Sequence, residues 1–243
     1  MSKPFKFKQF TVLQDRCAMK IGTDSVLLGA WTSLSHQPDS ILDIGAGTGV
    51  LSLMMAQRSD ALLIDALEIE DDAYEQCSEN FENSPWADRL FCYHASLNEF
   101  AEEFSNDEDL DQQYDLIICN PPFYSEDFKT LNSQRDLARF QDAMPFADLL
   151  SAVRSLLSPN GVFSVVAPFS EEEKFVTMAK QNDLFQKRIL HVKGKSDSEI
   201  KRSLMEFSFQ KGEISSSQLT IEIERHVYTE DYINLTKEFY INM

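Results

Sequence analysis

The sequence predicts an α/β fold in which helices cover both faces of a mostly parallel, seven-stranded sheet that ends in an antiparallel C-terminal hairpin. Short apolar segments alternate with segments of helical periodicity, which is the order that produces parallel strands joined by helices. A glycine-rich turn follows the first buried segment, as it does where a strand passes into a ligand-binding helix. Near the C-terminus the segments 184–193 and 202–210 alternate apolar and polar residues, as strands of a hairpin do.

The first half of the chain predicts four buried strands and the helices between them. The predicted strands are 40–44, 62–69, 90–93 and 114–119. A helix is expected after the glycine-rich turn, from Val50 onward, and others at 70–82 and 97–104. Acidic residues occupy the first turn of the helix at 70–82, where the helix dipole favours negative charge.

The second half begins with a polar stretch that reaches about residue 142 and is too long and too poor in glycine for a simple connector. A functional lid is one interpretation of it. A helix is predicted at 145–157, a turn at 158–161 and a fifth strand at 161–167. A further helix at 170–181 leads into the hairpin. No strand or helix is predicted after residue 210.

Composition is that of a globular protein, with 43% hydrophobic and 26% charged residues among 243. The sequence has no apolar run of about 18 residues and no apolar signal segment, so we expect a cytoplasmic protein that does not enter a membrane. The four cysteines form no Cys-X-X-Cys pair, and no histidine is spaced to complete a zinc site with them. No metal is therefore expected.

The formal charge of −18 is unevenly distributed. Residues 70–115 hold fifteen acidic residues and a single basic one. In contrast, residues 1–20 and 187–202 are rich in lysine and arginine. These two basic stretches could face a polyanion such as a nucleic acid, or they could be ordinary solvated faces.

The glycine-rich turn consists of Asp43, Gly45, Gly47 and Gly49 in the order Asp-Ile-Gly-Ala-Gly-Thr-Gly. Glycines there let a ligand approach the backbone closely. A dinucleotide fingerprint would also need glycine at Val50, and a phosphate-binding loop would need a Gly-Lys-Ser/Thr ending. The carboxylate of Asp43 instead favours a cationic or amine-bearing ligand. The turn resembles motif I of the class I S-adenosylmethionine methyltransferases, which implies S-adenosylmethionine as cofactor and S-adenosylhomocysteine as product.

An acidic residue at the end of the second strand can accept hydrogen bonds from both hydroxyls of a ribose. Glu68 is the main candidate for this role, and Glu70 competes with it. Many relatives of this superfamily have an acid after the third strand that contacts the cofactor adenine. This chain has Ser96 there, which is either a substitute for that acid or the N-cap of the helix that follows.

The fourth strand is followed by Asn120, Pro121, Pro122 and Phe123. The Asn120 side-chain carbonyl and the Pro121 carbonyl can each accept one hydrogen of an exocyclic amine, which aims the nitrogen lone pair at the methyl donor. Phe123 would stack on the base. No general base is needed, because an amine can lose its proton after it has attacked. The tetrapeptide resembles the Asn-Pro-Pro-aromatic motif of adenine-N6, cytosine-N4 and protein glutamine methyltransferases.

The N-terminal stretch FKFKQFTVLQDRCAMKIGTDSVLLGAW resembles the opening of bacterial tRNA (adenine-N6)-methyltransferases that act on valine tRNA. The resemblance covers about the first 125 residues. It implies methylation of the N6 amine of adenine 37, beside the anticodon. It also implies one methyltransferase domain, 1–243, with an N-terminal segment at 1–38 over the cofactor site and a catalytic core at 39–243.

In such enzymes Gly22, Thr23 and Asp24 lie over the methionine end of the cofactor, although Thr23 and Asp24 could instead cap the next helix. The expected partner is the anticodon loop of a tRNA, not DNA. Its phosphates would meet the N-terminal lysines and a second group of bases: Lys187, Arg188, Lys193, Lys195, Lys201 and Arg202.

Two alternatives stay open. A protein glutamine methyltransferase shares the motif because a side-chain amide also presents an NH2 group, but it would carry a separate helical substrate domain. A non-catalytic scaffold could retain the same fold. The sequence does not determine the oligomeric state.

Overall fold

The computed structural model describes residues 3–106, 113–122 and 144–243. Phe123 and most of the predicted lid lie outside these ranges. The strands are β1 (Phe5–Lys6), β2 (Thr11–Val12), β3 (Ser40–Ile44), β4 (Leu63–Glu68), β5 (Leu90–His94), β6 (Tyr114–Cys119), β7 (Leu157–Pro168), β8 (Phe185–Lys195), β9 (Ile200–Ser208), β10 (Ser215–Glu224) and β11 (Val227–Tyr228). The helices are α1 (Thr23–Trp31), α2 (Val50–Arg58), α3 (Asp71–Glu82), α4 (Leu97–Asn106), α5 (Phe146–Leu156), α6 (Glu172–Gln181) and α7 (Glu230–Thr236).

Strands β3 to β7 form the parallel centre of a large sheet, in the order β7-β6-β3-β4-β5. Neighbouring residues of a strand point to opposite faces, so Ile41 packs into one core and Leu42 into another. Helices α1, α2, α3 and α7 contribute to the first core, and α4, α5 and α6 to the second. The predicted arrangement of helices on both faces is confirmed.

The predicted antiparallel hairpin is also confirmed, since β9 pairs antiparallel with both β7 and β8. The prediction of seven strands is wrong at this edge, because β10 and β11 extend the described sheet to nine. Strand β10 lies parallel to β8, and β11 pairs antiparallel with β10. The polar start of β10, Ser-Ser-Ser-Gln at 215–218, is exposed, and for this reason it has no apolar alternation that sequence analysis could detect.

Strand β7 begins earlier than predicted and includes the predicted turn at 158–161. Leu157 pairs with Tyr114, but the next paired residue is Val162, opposite Leu116. The intervening turn residues are accommodated as a bulge between two paired positions of the same strand.

The carboxyl ends of β3, β4, β5 and β6 lie at one edge of the sheet, where open α/β sheets bind their ligands. Each end is followed by one of the motifs singled out above: the glycine turn, the acids at 68 and 70, Ser96 and Asn120. In the described part of the chain no helix is both long and apolar enough to cross a membrane.

Candidate cofactor and substrate site

The three glycines of the turn all have a positive φ, at +71° for Gly45, +56° for Gly47 and +75° for Gly49. L-residues rarely adopt this conformation, so the turn requires glycine at these positions. A Cβ atom at Gly45 or Gly47 would meet no atom within 4 Å, whereas one at Gly49 would lie 2.5 Å from the ring of Phe81. The first two glycines therefore leave room for a ligand, and the third lets α2 start close against α3.

Asp43 is completely buried at the end of β3. Its Oδ2 accepts hydrogen bonds from the Ser52 backbone N–H at 3.1 Å and the Ser52 hydroxyl at 2.7 Å. Its Oδ1 has no hydrogen-bond partner among the described residues. Burial raises the pKa of Asp43 to about 7, although the bonds from Ser52 oppose the shift. A buried carboxylate with an unused acceptor fits the cationic, amine-bearing cofactor that the sequence predicts.

Glu68 ties the glycine turn to the end of β4. Its Oε2 accepts from the backbone N–H of Gly47 at 2.7 Å, and its Oε1 accepts from Ile69 at 2.9 Å and Glu70 at 3.0 Å. Glu70, the competing candidate, is exposed and stands at the N-cap of α3. The geometry favours Glu68 as the buried acid of the site. Its contact with ribose hydroxyls stays a prediction.

Ser96 is the N-cap of α4, so the capping interpretation is confirmed. Its hydroxyl donates to Glu99 Oε2 at 2.7 Å and accepts from the Glu99 N–H, while its own N–H donates to the same carboxylate. Ser96 also lines a cavity of about 190 Å³ with Gly45, Ile69 and Leu97. Ser96 can therefore cap α4 and still contact a cofactor in this cavity, and that contact stays a prediction.

Asn120 follows β6, and its side-chain Nδ2 donates to the hydroxyl of Ser25 in α1 at 2.8 Å. This contact engages the amide nitrogen, so the amide carbonyl is the group that can accept from a substrate amine. Pro121 is buried and Pro122 is partly buried. Sequence analysis missed the role of Ser25, although Ser25 lies in the N-terminal stretch quoted above, because it is 95 residues from Asn120 and nothing in the sequence pairs the two.

Helix α1 begins at Thr23, and its N-cap is Gly22, without any side-chain capping bond. The alternative interpretation of Thr23 and Asp24 as helix caps is therefore wrong. Asp24 instead forms an ion pair with Arg202, whose Nε lies 2.8 Å from Asp24 Oδ2. This pair joins the start of α1 to strand β9.

The N-terminal segment is attached to the glycine turn through Asn80 of α3. The Asn80 amide accepts from the Leu13 N–H at 2.8 Å and donates to the carbonyls of Leu13 and Thr48, each at 2.9 Å. Farther along the segment, Cys17 lies near Glu68. Burial, with a contribution from that carboxylate, raises the pKa of the Cys17 thiol to about 12. Asn80 is a second residue that the sequence motifs did not reveal.

Comparisons with known proteins agree with this geometry. The family model described as Methyltransferase small domain matches residues 21–181, which include the glycine turn, Glu68 and Asn120. A tRNA1(Val) (adenine(37)-N6)-methyltransferase of Flavobacterium psychrophilum is 60% identical and covers 98% of this chain and 100% of its own. A protein of the same name from Parabacteroides distasonis is 44% identical, with 100% of both chains covered.

The chain belongs to the tRNA1(Val) (adenine(37)-N6)-methyltransferase family. The class I methyltransferase fold is also found in a predicted O-methyltransferase of Agrobacterium tumefaciens, at a TM-score of 0.69 and 16% identity over 89% of this chain and 96% of that one. A putative RNA methyltransferase of Pyrococcus horikoshii aligns at a TM-score of 0.53 and 20% identity, over 75% and 79%. These two structures support the fold only. As a class I methyltransferase, the protein depends on S-adenosylmethionine.

The register of the sheet locates the basic residues of the hairpin. Cys119, the last residue of β6, pairs with Val165, which lies opposite Met205; Met205 in turn lies opposite Ile189. Hairpin residues beyond Ile189 therefore extend past the carboxyl edge, on the same side as Asn120. The basic residues in this part are Lys193, Lys195, Lys201 and Arg202.

Lys187 and Arg188 precede Ile189 and lie level with the body of the sheet. Arg188 is already engaged, because its Nη1 lies 3.0 Å from the buried carboxylate of Glu206 and its guanidinium stacks 4.4 Å from the ring of Trp31. The expectation that all six bases of this stretch face phosphates is not supported for these two residues.

Proposed function

We propose that the protein transfers a methyl group from S-adenosylmethionine to the N6 amine of adenine 37 in a valine tRNA. Full-length relatives at 60% and 44% identity bear the name of this activity. The observation that carries the proposal is the orientation of Asn120, whose amide nitrogen is held by Ser25 at the carboxyl end of β6. Its carbonyl oxygen is thereby prepared to accept from an exocyclic amine.

Four features of the site fit the cofactor. Gly45 and Gly47 leave open space above the turn, and the buried Asp43 offers an unpartnered oxygen beside it. Glu68 would accept from the ribose, and the cavity at Ser96 would take the adenine. The family resemblance further implies that Gly22, Thr23 and Asp24 face the methionine end. In the structure Gly22 and Thr23 line a separate cavity, and Asp24 is paired with Arg202. When bound, the cofactor supplies a methyl group on a positively charged sulfur, which is an electrophile strong enough to react with a neutral amine.

The residues after β6 position the acceptor. Asn120 and the Pro121 carbonyl would each accept one N6–H, so that the nitrogen lone pair points at the methyl carbon. Transfer would form a bond between N6 and that carbon as the carbon–sulfur bond breaks, and S-adenosylhomocysteine would be the leaving product. The amine then releases one proton to solvent. Phe123 would stack on the adenine once the base is unstacked from the anticodon loop.

The remaining expectations follow from this reaction. The chain would act as one domain, 1–243, in which segment 1–38 covers the cofactor site and 39–243 forms the catalytic core. The link from Leu13 through Asn80 to Thr48 supports this arrangement. Phosphates of the anticodon loop would meet the N-terminal lysines and the hairpin lysines beyond Ile189. We place the protein in the cytoplasm, where its tRNA substrate is found.

The first experiment is to incubate the purified protein with labelled S-adenosylmethionine and tRNA from cells that lack it, and then to identify the methylated nucleoside. We expect N6-methyladenosine at position 37 with the wild type. With Asn120→Ala the rate should fall about 100-fold or more, as it does when a positioning contact is lost. Cofactor binding by this variant, measured by calorimetry, should be unchanged.

Ser25→Ala is the matched control. It leaves the Asn120 carbonyl in place and removes only its support, so the rate should fall less than in Asn120→Ala. If the wild type binds the cofactor but methylates no nucleoside, the assignment to tRNA is wrong. A protein glutamine substrate would then be tested next, with the same labelled cofactor and a cell extract treated with ribonuclease.

A further inference from the structure

A second cavity, of about 520 Å³, lies between the N-terminal hairpin, the start of α1 and the C-terminal residues. We call it the aromatic cleft. Its walls include Phe5, Lys6, Thr23, Tyr228, Tyr232 and Tyr240. Its volume is within the range of about 300–1,000 Å³ that is typical of ligand pockets. None of its three tyrosines belongs to the sequence motifs of the cofactor and substrate site.

We propose that the aromatic cleft binds an unpaired nucleotide of the RNA substrate, next to the nucleotide whose base reaches Asn120. The inference rests on the proposed function, because it assumes that the substrate is RNA. It adds to that function a subsite that holds a neighbouring base and so fixes the position of the loop on the enzyme.

The position of the cleft supports this role. Tyr228 pairs with Glu222, and Glu222 lies opposite Lys195, so Tyr228 stands beyond the carboxyl edge of the sheet with the basic end of the hairpin. Thr23, on the opposite wall, begins α1, and two residues later Ser25 holds Asn120. The cleft and the amine-binding carbonyl therefore share the first turn of α1.

The side chains in the cleft have the chemistry of a base-stacking site. The rings of Tyr228 and Tyr232 are 5.1 Å apart, and those of Phe5 and Tyr240 are 6.2 Å apart. Phe5, Tyr228 and Tyr240 are only partly buried, so parts of these rings are accessible. Unpaired bases stack on such rings, while hydroxyl groups provide hydrogen bonds to base edges.

The cleft contains neutral phenols and one exposed lysine that can meet a phosphate. Burial raises the pKa of Tyr240, and burial together with the nearby Tyr240 raises the pKa of Tyr232, so both phenols are neutral at physiological pH. Lys6 is exposed at the wall, and Lys20 is exposed on the same N-terminal segment. Lys6 is the one basic residue of the cleft wall among the described residues, and it can meet a phosphate. Glu222, which pairs with Tyr228, adds a negative charge nearby.

The test measures binding of a fluorescein-labelled anticodon stem-loop of valine tRNA to Tyr228→Leu, Tyr240→Leu and Lys6→Glu. Leucine keeps apolar volume but cannot stack. We expect each tyrosine variant to bind the stem-loop about tenfold more weakly, as for the loss of one base–aromatic stack. Affinity for S-adenosylmethionine should be unchanged. Phe91→Leu, at an exposed ring on the far edge strand β5, and Lys180→Glu, on α6, are the matched controls and should bind RNA normally.

Stem-loops with one abasic nucleotide at each loop position identify the base that enters the cleft. When the abasic position is the one that enters the cleft, the wild type should bind this stem-loop about as weakly as Tyr228→Leu binds the intact one. Tyr228→Leu itself should bind the abasic stem-loop little more weakly than the intact one, because its stacking contact is already lost. The proposal is overturned if the wild type methylates the stem-loop and both tyrosine variants bind it with wild-type affinity. If the wild type neither binds nor methylates the stem-loop, the proposed function itself has failed.

Discussion

The glycine turn and the aromatic cleft lie at the same edge of the sheet but are built in opposite ways. Hydrogen bonds to buried carboxylates hold the turn and the end of β4: Glu68 accepts from the N–H groups of Gly47, Ile69 and Glu70. Asp43 accepts from Ser52. The cleft is assembled from the packing of partly buried aromatic rings that come from both ends of the chain.

The two sites should therefore differ in how well they tolerate amino-acid substitutions. A buried polar contact is costly to break because its partners are left without hydrogen bonds. A partly buried ring such as Tyr228 that is replaced by leucine loses its stacking but keeps apolar volume. Substitutions in the turn should therefore impair folding and cofactor binding, whereas substitutions in the cleft should weaken RNA binding alone. Four experiments test this contrast, from the largest expected effect to the smallest.

The largest effect is expected from Glu68→Ala. The substitution removes the acceptor of three backbone N–H groups. The free energy of unfolding should fall by about 3 kcal/mol, the size of one or two hydrogen bonds to a charged group. Cofactor affinity should fall about 100-fold or more, which corresponds to about 2.7 kcal/mol. Urea unfolding and calorimetry measure the two quantities.

Glu70→Ala is the control for Glu68→Ala, since Glu70 is exposed and was the competing candidate from the sequence. It should change both quantities only slightly. A larger loss of cofactor affinity in Glu70→Ala than in Glu68→Ala would reverse the assignment of the ribose-binding acid.

Gly47→Ala should have the next largest effect. The new Cβ meets no protein atom, but φ is +56° at this position, so the residue is strained by about 1–2 kcal/mol. The methyl group also occupies the space left for the cofactor. We expect about tenfold weaker binding in calorimetry. Gly194→Ala, where φ is not positive and the nearest atom is 3.7 Å away, should bind the cofactor like the wild type.

The third experiment concerns the pH dependence of stability. Burial raises the pKa of Asp43 to about 7 in the folded protein, against about 3.9 for an unfolded chain. The folded state binds the extra proton between these values, so stability falls as the pH rises from about 4 to about 7. Asp43→Asn removes this titration and should make the melting temperature less dependent on pH. The exposed Asp88→Asn should keep the wild-type dependence, and equal slopes for all three proteins would contradict the assignment.

The smallest effect is expected at the ion pair between Asp24 and Arg202. Both side chains are about one third exposed, so the pair should contribute about 1 kcal/mol or less to stability. Arg202→Ala should lower the melting temperature only slightly. A drop as large as that of Glu68→Ala would show that the first turn of α1, which borders the cleft, depends on polar contacts as strongly as the glycine turn does.

The sequence predicted the parallel core well because its signals are local. Buried strands such as 114–119 are mainly apolar, and each motif at the carboxyl edge lies at or directly after the end of its own strand. The parallel order then brings those motifs together without further information. Local signals were not sufficient at β10, where the exposed serines have no apolar alternation and no strand was predicted. They were also misleading at 158–161, where a turn was predicted and the residues form a bulge inside β7.

By itself the sequence determined the fold class, the motifs that make up the site and the family to which they belong, since these depend on residue type and spacing within short segments. The tertiary structure alone decided which contacts support those motifs. Ser25 reaches Asn120 across 95 residues, and Leu13 reaches Asn80 across 67. The aromatic cleft joins residues from both ends of the chain. Such pairs leave no local pattern, because their contact exists only once the sheet has brought distant segments to the same edge.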